Sequence, residues 1–163
     1  MKAPLKPENE TKRLKYLQSL NLLDSEADLD VDRITNFVAN LFCVPIALVS
    51  IVDTHRQWFK SKVGLEATET PRDISFCGHV VLDTVPLIVN DAKQDDRFAD
   101  NPLVAGEPFI RFYAGAPLLT DQGLTLGTLC IIDTEPRELS ENDAEILVKL
   151  AADVVCLIES KVT

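Results

Sequence analysis

Val44 to Leu65 reads VPIALVSIVDTHRQWFKSKVGL, and its first half decides the fold. Ile46 to Val52 is a nearly continuous β-branched and aliphatic run, interrupted only by Ser50, too short for a helix of its own and bounded by Pro45 and Asp53. A segment of that kind is a strand covered on both faces, which places it at the centre of a sheet. Asp53 to Arg56 supplies a turn. Gln57 to Val63 then alternates, with Phe59, Ser61 and Val63 on one face and Trp58, Lys60 and Lys62 on the other. That pattern predicts a half-exposed strand hairpinned to its predecessor and closed by Gly64.

Towards the N-terminus, Glu8 to Leu23 places Tyr16, Leu17, Leu20 and Leu23 on one helical face, with acids in the first turn where the helix dipole favours them. Asp24-Ser25 breaks this helix and offers an N-cap to a second one, whose stripe is Ile34, Phe37, Val38 and Leu41 and which Pro45 ends. Towards the C-terminus, Leu65 to Asp73 has no period and reads as a loop. Ser75 caps a short helix over Phe76 to Leu82, and Pro86 to Val89 is a third strand. Asn90 to Asn101 is a polar connection anchored by Phe98.

Ile110 to Leu119 and Leu124 to Asp133 form two more strands, joined by a turn in which Gly123 supplies a positive φ. Gly115 and Gly127 inside them mark close backbone approaches. Ser140 with Asp143 opens a last helix with Ile146, Leu147, Leu150, Val154, Leu157 and Ile158 on its face. The element order is α+β, a mainly antiparallel sheet with segregated helices.

The chain has 163 residues, the length of one domain, with 46% apolar and 26% charged residues. Its 16 basic and 26 acidic side chains leave a net charge of −10, a field that repels nucleic acid and anionic lipid. No run approaches the roughly 18 apolar residues of a membrane span, and Met1 to Glu10 is not an export signal. Cys43, Cys77, Cys130 and Cys156 show no C-x-x-C spacing, which predicts a reduced, cytoplasmic protein; all but Cys77 lie in apolar runs and are expected to be buried. The last helix runs towards Thr163 with no glycine stop, so a sensor domain followed by an output domain is expected.

The unusual chemistry is concentrated in Glu69 to Val81, ETPRDISFCGHVV, with Arg72, Phe76, Cys77 and His79 as candidate ligand contacts. Cys77 and His79 diverge by about 200° on a helix, so one small ligand or metal does not meet both. Their alternatives are pocket lining, plain packing and helix capping. Arg72 is either an anchor for a polar ligand at a helix N-terminus or half of a surface ion pair. Asp91 and Arg97 either reach the pocket or pair within their loop. Of Phe112 and Tyr113, one faces a pocket and the other the helices. No catalytic triad, carboxylate pair, phosphate loop or metal motif is present, which argues against an enzyme.

Five ordered segments resemble the GAF domain of bacterial signalling proteins, as joined to diguanylate cyclases, phosphodiesterases and histidine kinases. They are Val44 to Leu65, Glu69 to Val81, Ile88 to Val104 (IVNDAKQDDRFADNPLV), Phe112 to Leu118 (FYAGAPL) and Gly123 to Asp133 (GLTLGTLCIID). The resemblance implies a leader helix over 1–27 and a GAF domain over 28–163. It further implies a central, mainly antiparallel sheet of five or six strands, terminal helices on one face and a ligand pocket on the other. It makes the chain a non-catalytic sensory module for an unidentified small molecule, transmitting through its terminal helices and forming a homodimer through them. The alternatives are a ligand-free dimerisation module and a thiol-based redox sensor using Cys77. The expected ligand contacts are Phe59, Ser61, Arg72, Phe76, Cys77, His79, Asp91, Arg97 and Tyr113. The Asn-Lys…Phe…Asp-Glu signature of cyclic-nucleotide-binding members is missing. The bilin-type cysteine followed directly by histidine is also missing, because Gly78 separates Cys77 from His79.

Overall fold

The structure, a computed structural model, describes residues 1–161. Val162 and Thr163, the end of the expected last helix, lie outside the described residues. Six strands form one sheet: β1 (Ile46–Val52), β2 (Arg56–Val63), β3 (Glu69–Pro71), β4 (Leu87–Val89), β5 (Phe112–Leu119) and β6 (Thr125–Asp133). Their order is β3-β2-β1-β6-β5-β4, and every neighbouring pair is antiparallel. β1 is central and all seven of its residues are buried, as its nearly continuous apolar run predicts. The short edge strand β3 lies inside the stretch expected to be a loop. Three residues carry no readable period, and β3 exists because Arg56, Gln57 and Trp58 pair with it.

Side chains of the sheet divide between two cores. Ala47, Val49, Ile51, Trp58, Phe112, Ala114 and Leu129 pack against three helices, α1 (Glu10–Ser19), α2 (Leu29–Phe42) and α5 (Glu141–Ser160). Ile46, Leu48, Phe59, Tyr113, Cys130 and Ile132 face the other way, towards Phe76, Phe98 and two four-residue helices, α3 (Cys77–Val80) and α4 (Pro102–Ala105). The alternation that assigns them is the period-2 geometry of a strand.

The helix boundaries hold two corrections. The N-cap of α2 is Asp28, whose carboxylate accepts from the Asp30 and Val31 amides at 2.9 and 3.3 Å, and not Asp24 or Ser25. The buried stripe of α2 is Val31, Thr35, Val38, Ala39 and Phe42, so Phe37 and Leu41, expected inside, stand in solvent at 54% and 46% exposure. The helix ends before Pro45, at Cys43, which takes the left-handed conformation (φ 52°) of a C-terminal cap. Ser140 caps α5 as expected, its Oγ accepting from the Asp143 amide at 3.1 Å. Gly123 has the positive φ, 81°, that its hairpin turn requires.

A bulge changes the faces of β2. Val49 pairs with Ser61 but Ser50 pairs with Phe59, so Lys60 is the extra residue. The expected common face of Phe59 and Ser61 is thereby split. Phe59 stays on the α3 side, whereas Ser61 turns to the helices and donates to Asp32 Oδ1 at 2.5 Å. Lys60 also points there, its ammonium donating to Ser25 Oγ at 2.8 Å and to Glu26 O at 2.5 Å.

Candidate ligand cavity

Between the sheet and its α3 side lies a cavity of about 540 Å³, within the 300–1,000 Å³ common for small-molecule sites. Its floor is Ile46 and Leu48 of β1, Phe59 of β2, Tyr113 of β5 and Cys130 and Ile132 of β6. Phe76 and Cys77 close one side. The Leu65 to Thr70 stretch and the Glu107 to Ile110 turn form the mouth. Phe109 there is 45% exposed and held at φ 61°, an uncommon conformation for a bulky side chain. Phe76 stacks on Phe98 with ring centroids 4.0 Å apart and tilts against Tyr113 at 5.0 Å, which fixes the aromatic wall.

Beneath α3 the floor turns polar. Cys77 Sγ is in hydrogen-bond contact with Tyr113 Oη at 3.2 Å and Thr128 Oγ1 at 3.1 Å. Burial pushes the Cys77 thiol up, but the neighbouring Cys130, Thr128 and Tyr113 outweigh it and bring Cys77 down to about 7. Cys130, coupled to the Cys77 thiol and itself buried, is pushed well above the usual thiol range. Ionisation of one thiol therefore opposes ionisation of the other. Ser50 donates to Gln57 Oε1 at 3.0 Å and Gln57 donates to Thr70 Oγ1 at 2.6 Å, tying β1 through β2 to β3.

Of the nine expected contacts, the cavity gathers Phe59, Phe76, Cys77 and Tyr113. Tyr113 faces the cavity and Phe112 the helices, which resolves the pair. Ser61 is on the opposite face of the sheet, for the bulge given above. Arg72 is buried away from the lining, donating to both carboxylate oxygens of Glu10 (2.5 and 3.3 Å) and to Asp53 O at 3.0 Å. His79 leans outward from α3, with Nε2 3.2 Å from Lys2 O and its ring edge-on to Phe98. Burial lowers its pKa. Asp91 caps a turn by accepting from the Lys93 amide, and Arg97 pairs with Asp95 at 2.8 Å. Neither lines the cavity.

Leu48, Cys130 and Ile132 were legible as lining, because they share the face of Phe59 and Tyr113 through strand alternation. Glu66, Leu103, Glu107 and Phe109 sit on connections without a period, and no local signal marks them. Among the described residues, no group of three or more His, Cys, Asp or Glu gathers as a metal site, and no helix is long and apolar enough to cross a membrane.

The six-stranded antiparallel sheet with helices on one face and a cavity on the other is the architecture of a ligand-binding sensory fold. The GAF domain family profile matches residues 28–157, and the chain belongs to that family. It is 47% identical over 161 residues to a cyclic di-GMP phosphodiesterase of Pseudomonas aeruginosa, covering 98% of this chain and 27% of that protein. The chain thus spans about a quarter of the length of that relative. Its fold is similar to the GAF domain of a phosphoenolpyruvate-protein phosphotransferase from Coxiella burnetii (TM-score 0.69, 18% identity, 93% and 94% of the two chains). It is also similar to a free methionine-R-sulfoxide reductase from Neisseria meningitidis, solved with its substrate (TM-score 0.67, 20% identity, 98% and 97%). These structures share the fold with this chain.

Proposed function

We propose that the chain is a non-catalytic sensory module that binds a small molecule in the 540 Å³ cavity and transmits occupancy through α1 and α5. The observation that carries this reading is the connection of the cavity wall to those helices. Phe76 and Cys77 lie one short turn after Arg72, which is locked to Glu10 of α1. Further along α1, Tyr16 donates its hydroxyl to Glu159 of α5, an interaction that raises the Tyr16 pKa to about 12. A ligand that shifts the Arg72 to Cys77 segment moves Glu10, and α1 bears on α5. The relative's greater length supports an output domain joined to this module in a longer protein, acting in a cytoplasmic signalling pathway.

A homodimer is part of the reading. Of the three helices on that face of the sheet, α2 (Leu29, Phe37, Leu41) and the terminal α5 (Val148) carry the exposed large apolar side chains, which supports a contact that includes α5 and extends over α2. Native mass spectrometry of the purified chain against its denatured mass tests both parts. A retained small molecule and a dimer are the expected result. A bare monomer that also binds nothing from a metabolite collection sinks it. The thiol-based redox reading is the second one, favoured by two buried, free thiols, Cys77 and Cys130, on the lining of the same cavity. A mass loss of two hydrogens on peroxide treatment, mapped to that pair, would select it.

A further inference from the structure

The charged side chains lining the cavity are Glu66 and Glu107, both exposed at its mouth. Neither belongs to an ion pair among the described residues. No Lys, Arg or His lines the cavity. The cations around it are held by carbonyls or carboxylates, Lys62 at the mouth itself. Lys62 donates to the carbonyls of Glu66 (2.5 Å) and Ala67 (3.1 Å), Arg111 to those of Val104 and Ile110 (both 2.9 Å), and Arg72 to Glu10. Among the described residues no buried side-chain nitrogen or oxygen lacks a partner, and the uncharged polar pair on the lining, Gln57 and Thr70, are hydrogen-bonded to each other.

The walls are instead mainly aromatic and aliphatic, with the rings of Phe59, Phe76, Phe109 and Tyr113 among them and Gln57 and Thr70 as uncharged polar members. Ring faces attract cations, and buried apolar walls reward apolar area. A phosphate brought here would lose its water and meet no cation inside the cavity, while at the mouth Lys62 is already held by two carbonyls beside two carboxylates, with a chain of net charge −10 behind them.

We infer that the cavity takes an apolar, non-anionic molecule, that an amine at the ligand's outer end is favoured by Glu66 and Glu107, and that phosphodiester nucleotides are excluded. This rests on the cavity being the ligand site and adds the class of ligand to that reading.

A matched series tests it by titration calorimetry on the full chain: tryptamine (cation), tryptophol (neutral), indole-3-acetate (anion) and cyclic di-GMP. Amide NMR shifts at Phe76 and Tyr113 locate the binding without any substitution. Tryptamine should bind about threefold tighter than tryptophol and roughly tenfold or more tighter than indole-3-acetate. Cyclic di-GMP should give no saturable heat. Glu66→Gln with Glu107→Gln, two exposed positions, should bring tryptamine down to tryptophol. Indole-3-acetate or cyclic di-GMP binding as tightly as tryptamine, with shifts at Phe76 and Tyr113, overturns the ligand class and leaves the cavity as a site. Equal binding of tryptamine and tryptophol overturns the role of the two glutamates. Saturable binding by none of the four at millimolar concentration overturns the cavity reading itself, and the inference with it.

Discussion

The hydroxyl of Tyr113 occupies the space that a side chain at residue 115 would fill. A Cβ on Gly115 would stand 2.2 Å from Tyr113 Oη and 2.7 Å from Cζ. The glycine therefore lets the tyrosine lie flat along its own strand and reach Cys77 Sγ. Gly115→Ala should force the ring off its rotamer, break that contact and reshape the cavity floor, at a cost of about 1–3 kcal/mol. Thermal denaturation of the single variant and of Gly115→Ala in a Tyr113→Leu background checks it. The cost should shrink in the second, where the ring is gone. An equal cost in both backgrounds would place the strain elsewhere.

Glu10 holds two buried arginines. Its carboxylate accepts from Arg13 Nε and Nη2 at 3.0 and 2.8 Å and from Arg72 Nη1 at 2.5 Å, while Arg13 also donates to Val52 O at 2.7 Å. Desolvation works to raise the Glu10 pKa, but the arginines outweigh it and hold it below the usual carboxylate range. Its contribution to stability is thus full above the unfolded value, about 4.3, and is lost as the pH falls through the lower folded value. Glu10→Gln should destabilise by about 3 kcal/mol at pH 7, because two guanidinium groups are left buried without a counter-charge. It should also flatten the fall in stability between about pH 4.5 and pH 3. Urea melts of both proteins across that range would show an unchanged slope if Glu10 were solvated.

Val49 is fully buried at the middle of the central strand, paired with Ser61 on one side and Leu129 on the other. Val49→Asp should unfold the domain. A carboxylate there costs several kcal/mol with no partner in reach, against about 5–15 kcal/mol for a typical domain. Circular dichroism suffices, and a folded variant with the parent's melting behaviour would defeat the assignment.

The parts of this molecule that were legible in its sequence are those where one rule acts alone. The run at Ile46 to Val52 could only be a doubly covered strand, and Ser140 with Asp143 could only open a helix. The bulge at Lys60 was not legible, because it depends on how β2 fits β1, and it moved Ser61 across the sheet. Phe37 and Leu41 satisfied the helical period yet lie outside, since periodicity does not say which of two overlapping apolar stripes meets the sheet. At the cavity, the floor follows strand alternation. Arg72 and His79 were marked by their chemistry, but long-range partners, Glu10 and the backbone of Lys2, hold them away from the lining.

The thiols show the same limit. Cys77 stood out as the unusual cysteine, while Cys43 and Cys156 looked like core residues. In the structure Cys77 and Cys130 are buried, and Cys43 and Cys156 are exposed. Cys43 is turned outward by the left-handed cap of α2, and Cys156 sits on the solvent face of α5. Alkylation needs both a thiolate and access. The lowered pKa of Cys77 supplies the first, and its 2% exposure withholds the second. Iodoacetamide should therefore label Cys43 and Cys156 first in the native protein, followed slowly by Cys77 through the cavity, and Cys130 only on unfolding. Peptide mass spectrometry over a time course reads the order directly. In Cys43→Ser/Cys156→Ser protein, the remaining slow labelling should map to Cys77 and rise with pH through about 7. Rapid labelling of Cys77 ahead of Cys43 would mean that α3 opens readily and that the cavity is reached without passing its mouth.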